Sequence, residues 1–346
     1  ADNAIASDAQ YNTVAGTNAG DSFTGTDANE NTLIGYNAGT AITTGDNNTF
    51  LGASCGDATT TASDNTAIGV SAFGTNTTGA NNVAVGRAAL FGNTSGGRNV
   101  ASGMYALYGN TSAFDNTAVG FNSLAANTTG ASNTAVGSYA LDANTTADKN
   151  TGLGYLALSS NTTGDRNVAV GHEALENNTT GIKNVAVGAH ALDTNTTGNY
   201  NVGVGYAPLY LNTTASDNTA IGYYALYANT TGDANAGLGR SALGSNTTGT
   251  QNVAVGAYTL ASNTTANNNT GIGYNALNLN TTGTTNVAVG TYALDANTTA
   301  DRNTAIGYQS LTTNTTGATN TAVGTYSLYS NTTGADNAAF GDAALY

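Results

Sequence analysis

Asn-Thr-Thr or Asn-Thr-Ser triplets recur at Asn76, Asn93, Asn110, Asn127, Asn144, Asn161, Asn178, Asn195, Asn212, Asn229, Asn246, Asn263, Asn280, Asn297, Asn314 and Asn331, always seventeen residues apart. None has proline in the middle, and the third residue is Thr or Ser in all sixteen. These are acceptor sequences for N-linked sugar, and in an exposed turn of a secreted protein they would carry a row of glycans. Read only as turn formers, they would not require the hydroxyl at the third place. Tyrosine forms the second group with chemical potential. Seventeen of the nineteen tyrosines fall at three places of the same period, among them Tyr206, Tyr223, Tyr224 and Tyr227. Rings with a polar tip suit protein interfaces and the faces of sugar rings, and so much exposed aromatic area points to a partner.

Catalysis finds little support. His172 and His190 lie at variable places of adjacent units with Glu173 beside the first, a pairing that chance supplies on most surfaces. No GxSxG elbow, P-loop, HExxH or CxxC occurs, and the glycines of "NVGVGYAPL" reflect only Gly203 in place of the usual Ala before Gly205. The chain reads as a non-enzyme. Its recurrent acids, such as Asp142, Asp148, Asp165, Asp217, Asp295 and Asp301, lack the rhythm of calcium-binding β-rolls. No cofactor is therefore expected, with calcium the one ion left open.

The element that positions all of these residues is a repeat. From Asn31 to Asn337 the chain returns every seventeen residues to N-[TV]-A-[VIL]-G-x-x-A-L-x-x-N-T-T-[GA]-x-x, with no insertion or deletion. Numbering the unit from its first Asn gives positions 1 to 17. Seventeen residues are too few for a helical hairpin and suit short strands joined by turns, so the fold class is all-β, a parallel β-solenoid of about nineteen 17-residue coils with two short strands per coil. The bulky residues at position 4 (Val85, Val119, Ile221, Ile306) and position 9 (Leu90, Leu141, Leu226, Leu294) would fill the core, with position 2 beside them. Ser102, alone at position 4 of its unit, has no account in that scheme. Asn at positions 1 and 12 would stack on its own copies at the coil rise of ~4.8 Å and form amide ladders. Gly at position 5 and the NTTG run mark the corners.

Alternation along a strand turns position 3 away from position 4, yet position 3 is Ala or Gly in every unit from Ala67 to Ala339. This predicts an outward Ala/Gly face pressed against a neighbouring chain, with Ala118, Ala135, Ala220 and Ala254 as interface residues. Residues 1–30 read as an irregular N-terminal cap or assembly segment and residues 31–346 as the solenoid. The last unit keeps Phe340 and Leu345 at its expected core places and stops soon after them. Those two residues are the expected open-ended joint to a second subunit.

With 7 basic against 21 acidic residues the net charge is −14, which repels phosphate backbones and argues against nucleic acid as a partner. No apolar run approaches the length needed to cross a bilayer, so membrane insertion is not expected. The opening "ADNAIASDAQ" has neither a basic start nor an apolar stretch, and it reads as a mature or trimmed terminus. The single cysteine, Cys55, excludes an internal disulfide.

"NTAVG", "NVAVG" and "NTAIG", each followed by small residues, resemble the head repeats of trimeric autotransporter (YadA-like) adhesins. NTAVGxxALxxNTTG arrays are also similar to those of bacterial surface and phage tail-fibre proteins. The resemblance covers residues 31–346 and implies a left-handed parallel β-roll, trimerisation, adhesion and a place outside the cell or on its surface. The chain departs from the autotransporter pattern in its longer period, and it shows no coiled-coil stalk, membrane anchor or tail-fibre chaperone domain. The expected function is a structural subunit of an extracellular fibre that partners with itself, as a homo-oligomer or head-to-tail filament. A glycan-binding adhesin or trimeric tail-fibre shaft is the alternative, and an ice-binding protein, resting on the threonine rows, is the third reading.

Overall fold

The computed structural model describes residues 6–24 and 27–346. The chain divides into two units, Ala1–His172 and Glu173–Tyr346. The first holds β1 (Ala6–Ser7), β2 (Thr13–Ala15), β3 (Thr32–Ile34) and then a strand every seventeen residues, from β4 (Thr49–Leu51) to β11 (Val168–Val170). The second continues the same spacing from β12 (Val185–Val187) to β21 (Ala338–Phe340). Within each unit successive strands pair in parallel and in register, as Val204 with Ile221 and Ile221 with Leu238. The fold is a parallel β-solenoid, and no helix occurs among the described residues. β1 alone runs antiparallel, against β2. Because β2 already pairs in parallel with β3, stacking begins inside the segment expected to be a cap, through a coil two residues longer than the rest.

Each coil carries one strand of three residues, at positions 2 to 4, where two strands were expected. The remainder is a chain of turns whose backbone still bonds from coil to coil. Leu226 N–H donates to Ala242 C=O at 2.9 Å, Thr230 N–H to Thr247 C=O at 2.9 Å and Ala234 N–H to Ser216 C=O at 3.1 Å. The bends come from residues in the left-handed region at positions 7, 9 and 17, as in Tyr224, Leu226 and Ala234, whose φ angles are 55°, 50° and 58°. The Asn and Gly of the NTTG run do not provide them. Position 5 is different again: Gly222 has φ 134°, and a Cβ there would lie 2.7 Å from the Gly239 carbonyl oxygen. Only glycine lets coils stack at that corner.

The strand faces the opposite way from the sequence reading. Ala118, Ala135, Ala220 and Ala254 are fully buried within their own chain, and position 4 points outward, with Ile221 41% exposed. These alanines therefore form no interface with another molecule. The interior of a coil is instead Leu at position 9, Ala at positions 3 and 8, and Asn at positions 1 and 12. Leu226 and Ala225 fill the space opposite the strand, leaving room for a methyl group at position 3. Ser102, facing out, needs no special account. Phe340 is likewise an outward residue, while Leu345 stands in the core column; they are 69% and 63% exposed in the final coil, on which no further coil is stacked.

The Asn ladders form as expected. Asn229 Nδ2 donates to Asn212 Oδ1 and to Gly232 C=O, both at 2.9 Å, and Asn218 N–H donates to Asn201 Oδ1 at 3.0 Å. A thin core thus replaces much of the usual apolar volume with stacked, hydrogen-bonded amides.

Candidate functional site

The ladders remove the sequons from consideration as sugar acceptors. Asn76 and each seventeenth residue on to Asn314 are fully buried, and in Asn229 the Nδ2 that would bear the glycan donates two hydrogen bonds inside the coil. Asn331, in the last complete turn, is half-buried and makes the same two bonds, to Asn314 Oδ1 and Gly334 C=O. The hydroxyl at position 13 is also committed to structure, since Thr230 Oγ1 donates to Thr247 C=O at 3.0 Å. Acids at position 16 serve the fold too: Asp233 Oδ1 accepts the Ser216 N–H at 2.7 Å, and Asp301 Oδ1 accepts the Thr284 N–H at 2.6 Å. Both rows complete backbone hydrogen bonding on the turn side.

Two surfaces remain. One is the outer strand face, positions 2 and 4 of every coil. From Val185 and Val187 to Ala338 and Phe340 it contains only Val, Ile, Leu, Ala, Phe and Thr, and the first unit adds only a serine to that set. Ile221, Leu238, Val255, Ile272 and Ile306 are each more than a third exposed along it. Sequence reasoning missed this face because it placed its bulk inside.

The other is an aromatic cluster in the second unit. Parallel stacking brings Tyr206, Tyr223, Tyr224 and Tyr227 together, as the sequence suggested, and adds Tyr210 and His190. Tyr210 and Tyr227 stack with centroids 5.3 Å apart and planes 4° from parallel; Tyr206 and Tyr223 stack at 5.5 Å. Tyr223 and Tyr224 are 4.1 Å apart, and a hydrogen bond with Tyr223 is the main reason the Tyr224 phenol is pushed up to about 12. A cleft of about 170 Å³ opens among His190, Tyr206, Ala207, Tyr210, Tyr224 and Tyr227.

Carboxylates stand at the edge of this cleft. His190 Nδ1 lies 3.0 Å from Glu173 Oε2 and 3.1 Å from Asp193 Oδ2, and Asn177 Nδ2 donates to Asp193 Oδ1 at 3.0 Å. Burial pushes the Asp193 carboxyl above its ordinary value, against the opposing pull of His190. The Asp193 charge in turn raises the Tyr210 phenol, with burial, Tyr227, Glu173 and Glu176 adding to it. Position 10 explains the arrangement, since Glu176, Asp193, Tyr210 and Tyr227 are successive copies of that one place.

Neither protein-family models nor the curated proteins return a match. What the cluster can do rests on its own geometry. Glu173, Glu176 and Asp193 each offer a carboxylate oxygen within 4.8 Å of the others, a donor set suited to a hard cation such as calcium, although His190 already engages two of the three. Asp193 and Glu176 escaped sequence reasoning because the recurrent acids were weighed only against the rhythm of calcium-binding β-rolls; following position 10 from Glu176 to Tyr227 would have joined them to the tyrosines.

Proposed function

We propose that the chain is a structural protein, a subunit of an extracellular fibre, that associates with copies of itself through the outer strand face. The observation that carries this reading is a continuous, uncharged stripe of aliphatic side chains interspersed with threonine on a chain whose net charge is −14. In the second unit alone, ten coils at a rise of ~4.8 Å and a three-residue strand ~10 Å wide give a stripe of roughly 500 Å². That is at the upper end of the largest apolar patch on an ordinary monomer, and it approaches the roughly 800 Å² per partner of a stable interface. The first unit carries a second stripe of the same kind. A copy of this chain is the fitting occupant, because the stripe is neutral and can face its own copy, while the acidic residues that give the net charge of −14 lie off it.

Sedimentation of the intact chain over a range of concentrations tests the proposal. Assembly is expected for the wild type and loss of assembly for Ile221→Lys/Ile306→Lys, with Tyr227→Ser unaffected. A wild type that stays monomeric throughout, or lysine variants that assemble equally well, would overturn it. Electron micrographs distinguish fibres from a closed trimer of fixed mass, and the latter would sink the fibre reading.

A further inference from the structure

We propose that the cleft among Tyr206, Tyr210, Tyr224 and Tyr227 binds a quaternary ammonium group. Four tyrosines line one small volume, Tyr210 and Tyr227 stacked on each other at 5.3 Å within it, and aromatic rings attract cations through their quadrupole. The column that supplies two of these rings supplies carboxylates immediately before them, Glu176 and Asp193, so acidic groups stand beside the rings without lining the cleft, Asp193 also engaging His190. Elsewhere the same chain already places cations over its aromatic rows: Arg240 lies 5.6 Å from the Tyr223 centroid and 5.5 Å from that of Tyr258, and Lys183 lies 5.0 Å from that of Tyr200. No Lys or Arg lines the cleft, and the one imidazole there, His190, has its Nδ1 directed to Glu173 and Asp193.

Size narrows the ligand. At about 170 Å³ the cleft is below the ~300 Å³ at which drug-sized sites begin, and it suits a compact head group better than a sugar ring with its hydration. Alkylated ammonium combines positive charge with weakly hydrated methyl groups that can leave water for tyrosine faces. Free choline and the head of a choline-bearing lipid share this chemistry. The site is built from turn residues, away from the strand face, and so does not depend on the assembly proposed above.

Saturation-transfer NMR on the intact chain, with choline as the probe and 3,3-dimethylbutanol as its neutral isostere, tests the inference. Choline methyls should receive saturation with an affinity in the millimolar range, and the isostere should bind at least tenfold more weakly. Tyr210→Leu and Tyr227→Leu should each weaken choline about two- to fivefold, as expected for one ring, and together at least tenfold. Tyr210→Phe, which keeps the ring, should bind choline within about twofold of the wild type. Equal binding of the isostere or of a neutral methyl glycoside would overturn the proposal, as would undiminished choline binding by a folded Tyr210→Leu/Tyr227→Leu chain, or no transfer to choline at all. Co-sedimentation with phosphatidylcholine vesicles separates the two sources: sedimentation with the vesicles assigns a lipid head, and choline binding without it assigns the free compound.

Discussion

In the coil that opens at Asn48, the strand supplies the bulk of the core: Phe50 stands at position 3, fully buried, and Gly56 stands at position 9. In the coil that opens at Asn218 the two places are exchanged, with Ala220 on the strand and Leu226 in the turn. The coil at Asn31 follows the first pattern with Leu33 and Gly39. A Cβ on Gly56 would run into the Phe50 ring, and one on Gly39 would meet Leu33 and Ile42. The degenerate N-terminal coils are therefore not a loosened version of the repeat. They conserve interior volume while moving its source from one wall of the coil to the other. The Asn ladder at position 12 is what they give up, since Ile42 and Thr59 occupy that place, and the buried Thr59 hydroxyl has no hydrogen-bond partner.

Both regions share the glycine corner, so the largest effect should be the same in each. Gly52→Val and Gly222→Val put a branched side chain at φ 144° and 134° against the next coil's carbonyl. Each should cost more than about 4 kcal/mol in urea unfolding followed by circular dichroism. A tolerated change in either coil would show that the two regions stack by different rules.

The exchange of bulk is sharpened by a double-mutant cycle. Phe50→Ala should destabilise by about 3–5 kcal/mol, and Gly56→Leu by a similar amount through overpacking. The double variant rebuilds the regular pattern, because Leu is already accommodated at position 9 elsewhere with φ near 50°. It should recover at least about 2 kcal/mol of the summed loss. Strict additivity would rule out the complementarity.

Opposite signs are expected for the ladder. Asn229→Ala strands Asn212 Oδ1 and one Asn246 Nδ2 bond, costing about 2 kcal/mol, whereas Thr59→Val removes an unpartnered hydroxyl and should be neutral or stabilising by up to about 1 kcal/mol. Equal losses in the two unfolding curves would mean that the N-terminal coils use position 12 as the others do.

The smallest effect concerns Cys55, which takes the place of the position-8 alanine and whose Sγ donates to Ala67 C=O at 3.1 Å. Burial is the chief cause that pushes its thiol up to about 12 from an ordinary value of 9.0. The folded state thus disfavours thiolate. Its contribution to stability is complete below pH 9 and is lost as pH rises toward 12. Wild type and Cys55→Ala should differ by less than about 1.5 kcal/mol at pH 7 and diverge only in alkali, and the thiol should resist labelling until the chain unfolds. Rapid labelling of native protein at neutral pH would contradict this burial.

Much of this was legible as text. The unbroken spacing from Asn31 to Asn337 requires a stacked coil, and it places like residues above like, which is why the Asn ladders and the gathering of Tyr206, Tyr223, Tyr224 and Tyr227 could be anticipated. Invariant Gly at position 5 announced a corner, though not that the next coil's carbonyl enforces it. The exchange of large and small between positions 3 and 9 was also present, in Leu33 with Gly39 and Phe50 with Gly56, and it is the one signal that identifies position 3 as interior.

What the sequence by itself determined is the period, the fold class and the identity of the residues in each column, because a parallel stack copies any regular spacing into rows. Which rows face inward was decided only by the tertiary structure. A three-residue strand offers two alternations, and hydrophobicity favoured the one that buries Val and Ile. The coil closes the other way because Leu226 and Ala225 fill the space opposite the strand, and the buried amides of Asn218 and Asn229 take much of the rest. Volume, not hydrophobicity, turns Ala220 in and Ile221 out. The same reversal leaves the Val and Ile of position 4 in water.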